Sequence, residues 1–179
     1  MRLHLLFPLV AAMTLGGCGQ SEEHVAPDPA TGPKSALARK SFALFRGAPE
    51  PLPSHQRADL SAVGGADGYA QKLPLFTQDV WAVLARQEIC LLGDEGEVRG
   101  LGCRPLEQVL REGTYLASIP TPSRPIDANR NIVGIAPDGI RKVRIQFDQT
   151  RPRTVPVIEN TFSLRDKGSD FPTRIDLLH

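Results

Sequence analysis

Alternation of apolar and polar side chains dominates the second half of the chain. Val143, Ile145 and Phe147 alternate with Lys142, Arg144 and Gln146. A period of two with one wet face predicts an antiparallel strand lying on a core. Val80–Leu84 and Ile89–Leu92 are short apolar runs separated by Ala85-Arg86-Gln87-Glu88, which predicts a β-hairpin with a polar turn. Residues 114–119, 132–136 and 174–177 predict further strands. Thr154 to Leu164 reads as one more. Val155 and Val157 share one parity while Asn160, Phe162 and Leu164 share the other, so a bulge is expected near Ile158-Glu159. Pro156 lacks a ladder donor and points to an edge position. Pro137-Asp138-Gly139 is turn chemistry: proline presets φ and glycine accepts a positive one.

The first half is more helical and less regular. Ser35 to Arg46 predicts a short helix capped by Ser35, with Leu37, Phe42 and Phe45 near one face. A second short helix is expected from Ser54 through Leu60 and Val63, ended by Gly64, Gly65 and Gly68. Residues 93–102 read as a glycine-rich acidic loop. Arg104 to Glu112 predicts a small helix with Leu106, Val109 and Leu110 inward, stopped by Gly113. The expected fold class is mainly β (α+β). It is one small antiparallel β-rich domain over residues 35–179, helical or irregular through residue 72. No internal repeat or heptad is present.

The N-terminus departs from both patterns. Arg2 precedes a largely apolar run, Leu5 to Leu15, and then Gly16, Gly17 and Cys18. This is the layout of a secretory signal. As a helix the run would span about 16 Å, against about 30 Å of hydrocarbon in a bilayer. Leu15-Gly16-Gly17-Cys18 resembles a bacterial lipobox, in which the cysteine thiol takes a diacylglycerol and cleavage falls just before it. On that reading residues 1–17 are a lipoprotein signal peptide and Cys18 is the lipidation site. An ordinary signal cleaved elsewhere, or a short uncleaved anchor, is the alternative. Acyl chains contribute about 0.8 kcal/mol per buried CH₂, so several hold a protein on a membrane. Residues 18–34 carry one large apolar side chain, Val25, and several prolines, the composition of a flexible tether.

Composition narrows the function classes. The 179 residues include 21 basic and 20 acidic side chains, a net charge of +1. Nucleic-acid binders normally carry a strong basic excess, so no nucleic-acid partner is expected. The cysteine count is three, an odd number that needs explaining. If Cys18 is lipidated, Cys90 and Cys103 remain in an oxidising compartment, where a structural disulfide is the expected state. Free buried thiols or a redox pair are the alternatives. The spacing is neither C-x-x-C nor a zinc pattern.

Candidate chemistry is sparse. Beyond the leader the histidines are His24 in the tether, His55, and His179. No G-x-S-x-G elbow, phosphate-binding loop or dinucleotide fingerprint occurs. No cofactor or metal is expected. Asp94, Glu95 and Glu97 could bind Ca²⁺ but lack EF-hand spacing, and a solvated loop face explains them better. Asp138 fits a turn better than a catalytic role, and Asn160 fits backbone satisfaction at the expected bulge. One electrostatic feature survives. Arg141, Lys142, Arg144, Arg151 and Arg153 crowd one stretch, with Lys142 and Arg144 on the wet face of a strand. They suit contact with anionic headgroups or anionic envelope polymers. They suit better an edge kept soluble by charge.

A wider pattern is carried by Phe42-Ala43-Leu44-Phe45-Arg46 with Leu52-Pro53, by Val80-Trp81-Ala82-Val83, and by Cys90-Leu91 answered by Gly102-Cys103. It continues in residues 133–140, VGIAPDGI, and 155–162, VPVIENTF. Over residues 41–164 the chain resembles a group of exported or membrane-anchored actinobacterial proteins of unknown function. Ala136 and Ile140 depart conservatively from that pattern, and the Arg46-Gly47-Ala48-Pro49 stretch departs from it as well. The resemblance implies an export context and a shared small domain, and carries no activity. The expectation is a lipid-anchored protein on the outer face of a bacterial membrane. It would serve as a noncatalytic binding or scaffolding module for envelope proteins or polymers. An envelope hydrolase, its site assembled from distant residues, is the alternative, as is a structural accessory of a membrane complex.

Overall fold

A computed structural model describes residues 33–62, 68–74, 80–85, 87–93, 100–117, 130–166 and 170–179. Cys18 with the leader, residues 18–32 of the tether, the Asp94–Glu97 loop and Val63 lie outside the described residues, while the last two tether residues belong to the first helix. The described chain is mainly antiparallel β, with three α-helices: α1 (Pro33–Ser41), α2 (Ser54–Ala62) and α3 (Leu106–Glu112). A 3₁₀ helix spans Ala43–Arg46. The strands are β1 (Tyr69–Lys72), β2 (Val80–Ala85), β3 (Glu88–Gly93), β4 (Gly100–Pro105), β5 (Thr114–Ala117), β6 (Arg130–Ile135), β7 (Lys142–Phe147), β8 (Arg153–Pro156), β9 (Thr161–Asp166) and β10 (Pro172–Leu178).

The helix expected over 35–46 is two pieces. It starts at Pro33, whose fixed φ and missing N–H suit a first turn. Ser35 is therefore buried inside α1 and does not cap it. Phe42 is extended, with φ −136° and ψ 114°, and separates α1 from the 3₁₀ helix. That break turns Ala38, Phe42 and Phe45 into the core and leaves Leu37 40% exposed. Phe42 and Phe45 meet edge to face at 5.9 Å, and the Arg39 guanidinium lies 4.7 Å over the ring of Tyr69.

The first sheet has strand order β1-β2-β3-β4, antiparallel throughout. Its central hairpin runs to Ala85↔Glu88, where the two apolar runs placed it. β1 corrects the reading of residues 35–72 as helical or irregular. Its outer edge is covered by the segment before α2. Glu50 N–H bonds the Ala70 carbonyl at 2.9 Å, and the Gln71 amide donates to the Ala48 carbonyl. β4 begins at Gly100, inside the stretch read as loop, and carries Arg104, so α3 starts two residues late.

The other two sheets are three-stranded, with orders β5-β6-β9 and β10-β7-β8. Thr154–Leu164 is not one bulged strand. β8 and β9 belong to different sheets, joined by a tight turn in which Ile158 and Thr161 exchange both backbone bonds at 2.8 Å. Glu159 and Asn160 take φ of 49° and 64°, the paired positive values of a type I′ turn. The parity switch is real, and a corner causes it. Pro156 sits on edge strand β8, as expected.

Side-chain alternation builds three clusters. Ala82, Leu84, Ile89 and Leu91 meet Ala38, Phe42, Phe45, Val109, Val133 and Ile135 between the first and second sheets. Ile132 and Phe162 meet Val143, Ile145, Val155 and Ile175 between the second and third. Trp81, Val83, Cys90 and Leu92 pack under Leu60 of α2 on the outer face of the first. β6 serves two cores: Val133 and Ile135 point one way, Ile132 the other. Gly134 pairs with Phe162 in register, and a Cβ there would lie 2.3 Å from the ring tip and from the Thr114 carbonyl. Only glycine lets that aromatic cross the strand.

Candidate functional site

Three stretches of the wider sequence pattern converge on one polar cluster. The Pro137-Asp138-Gly139 turn and the corner at Asn160 both reach the start of the 3₁₀ helix. Asp138 Oδ1 accepts the Ala43 N–H at 2.9 Å, and Asn160 Oδ1 accepts the Leu44 N–H at 2.9 Å. Phe42 provides no side-chain cap. The orphan donors of a helix start are instead satisfied by residues roughly a hundred positions away. Asn160 Nδ2 donates to the Ala136 carbonyl at 3.0 Å and to Asp138 Oδ1 at 2.9 Å. Arg46 pairs with Asp138 Oδ2 and donates to the Arg39 and Lys40 carbonyls at 2.9 and 3.0 Å, closing the C-terminus of α1. Both Asp138 oxygens are thus engaged in holding backbone and partners. Asn160 serves a corner and a distant helix, where a bulge was expected.

Cys90 and Cys103 face each other in register across β3 and β4 and form a disulfide, with S–S 2.06 Å. Cys90 is fully buried and Cys103 half-buried. Among the described residues, Glu88, Cys90 and Cys103 form the one grouping of metal-ligand types. Its two sulfurs are committed to each other, which leaves a single exposed carboxylate.

The basic stretch does not lie on a single strand face. Lys142 and Arg144 project from the exposed face of β7, as the alternation placed them. Arg153 opposes Ile145 and so has the other parity, Arg141 precedes the strand, and Arg151 follows it. Two residues from β10 complete the β7 face, Arg174 and Asp176. Asp176 accepts the Gln146 amide at 2.8 Å and pairs with Arg174 at 2.7 Å. The Gln146 hydrogen bond, then Arg174 and Arg144, hold its carboxyl below the ordinary range against the opposing effect of burial. These partners were missed because cross-strand register, not sequence proximity, brings them together. The legible signal was the Arg174-Ile175-Asp176 alternation.

A cleft of about 850 Å³ lies between α3, the Pro137–Ile140 turn and β10. Its lining mixes Leu110, Ile140 and Leu177 with Arg111, Glu112, Asp176 and His179. His55 is exposed on α2 and does not join it. Nearby, Tyr115 donates to the Pro172 carbonyl at 2.8 Å, and burial pushes its phenol up while Arg104 opposes. No family model matches the chain, nor does any curated protein or solved structure.

Proposed function

We propose that the chain is a lipid-anchored extracytoplasmic protein that binds or scaffolds envelope partners and performs no catalysis. The observation that supports this most directly is the Cys90–Cys103 disulfide. Such bonds persist in oxidising compartments, and this one accounts for both cysteines outside the lipobox-like sequence. The third, Cys18, then stands where a lipid would be attached. The resemblance to exported actinobacterial proteins favours the same context. The polar cluster at Asp138 and Asn160 fits a binding module too, since its chemistry is consumed in fixing backbone. Metabolic labelling with a clickable fatty acid tests the anchor. Wild-type protein takes up label and Cys18→Ser does not; label persisting on the variant overturns the proposal. Crosslinking in intact cells tests the binding role, with specific envelope partners expected and their absence counting against it.

A further inference from the structure

β10 is the longest described strand, seven residues, and it lies at the edge of its sheet. Two of the other edges are blunted. β1 is covered by residues 48–50, and β8 carries Pro156. β10 has no proline after Pro172. The cleft described above is lined by Arg174, Ile175, Asp176 and Leu177, consecutive residues of both parities. A cavity touching both faces of a strand runs along its edge. Leu178 turns its carbonyl to Arg141 N–H at 3.1 Å, on the β7 side. By alternation, Asp176 and Arg174 face β7 as well, and the N–H and C=O groups of Ile175 and Leu177 face the edge that no described strand covers.

The strand is complementary to itself. In antiparallel pairing about a two-fold axis at Ile175, Ile175 opposes its own copy and can exchange both backbone hydrogen bonds. Arg174 then opposes Asp176 of the second copy, and Asp176 opposes Arg174. Each cross-strand ion pair joins one that already exists within the strand, on a face where the Arg174 side chain is 70% exposed. Ile175 and Leu177 stay on the core side. We propose that two copies of this chain associate through their β10 edges, joining their third sheets into one continuous sheet. A two-fold interface is the commonest way identical chains associate, and it requires a patch that matches itself.

Sedimentation of the purified full chain in detergent tests this, with Arg174→Asp, Asp176→Arg and the double exchange. Wild type is expected at twice the protomer mass. Each single exchange places like charges opposite each other twice and weakens association roughly tenfold or more. The double exchange restores it. A monomeric wild type overturns the proposal, as does a dimer indifferent to both single exchanges, or a loss that the double exchange leaves unrepaired. Hydrogen exchange of the wild type needs no variant to fold. Protection of residues 172–178 rises with protein concentration if β10 is the contact, and concentration-independent protection overturns it.

Discussion

Replacing Asn160 with alanine tests whether the polar cluster holds the N-terminal helical segment to the body. The side chain is buried, at 6% exposure, and makes three hydrogen bonds: from Leu44 N–H, to the Ala136 carbonyl and to Asp138. Each such bond contributes about 1 kcal/mol net, and a donor left without an acceptor costs more than the average. Alanine must also adopt a φ of 64°, a conformation costing about 1 kcal/mol for a residue without a local polar side chain. The expected loss is about 3–4 kcal/mol, a large share of a typical domain's stability. Glycine at the same position loses the bonds but not the φ, and should cost about 1 kcal/mol less. Urea unfolding followed by the single tryptophan, Trp81, and by far-ultraviolet circular dichroism gives both values. A loss below about 1 kcal/mol for alanine would refute the clamp. Glycine proving worse than alanine would refute the assigned backbone term.

Reducing the Cys90–Cys103 bond, which closes a sequence separation of 13, should lower the unfolding free energy by about 3 kcal/mol. An unchanged urea midpoint after complete reduction would count against it. Acid should destabilise through Asp176 and Asp170. The Asp176 carboxyl is held low by Gln146 and its arginines. Burial raises Asp170, but the backbone N–H groups of Gln149 and Thr150 outweigh it. Both folded values lie below the free-carboxylate value of about 3.9, so their stabilisation is complete above that pH and is lost as pH falls through the folded values. Melting temperatures across the acid range should fall less steeply for Asp176→Asn. An acid limb identical to wild type would remove Asp176 from that role.

Local chemistry was readable wherever a single strand or turn decided it. Val143, Ile145 and Phe147 gave β7 its buried face, and Pro137-Asp138-Gly139 made the turn, with Gly139 at φ 83°. The facing cysteines paired. What escaped depended on distant partners. Tyr69-Ala70-Gln71-Lys72 has no convincing alternation, and it is a strand because β2 and residues 48–50 supply its ladders. Leu37 looked like a core residue until the break at Phe42 rotated the helix face. Asp138 was legible as a turn residue, but its bond to Ala43 crosses 95 positions, and Asn160 reaches Leu44 across 116. Periodicity carries no information about a cap delivered from that far.

Those separations govern when the chain can close. The segment at residues 33–46 donates Phe42 and Phe45 to a core whose other wall includes Val133 and Ile135, and its polar lock waits for residue 160. Contacts so remote in sequence must gather long loops before they stabilise anything, which slows closure. A polypeptide emerging N-terminus first from a ribosome therefore carries this segment unlocked until residue 160 has appeared. The hairpins of the first sheet need no such wait, so the lock between Leu44 and Asn160 is a late event laid over earlier local pairing.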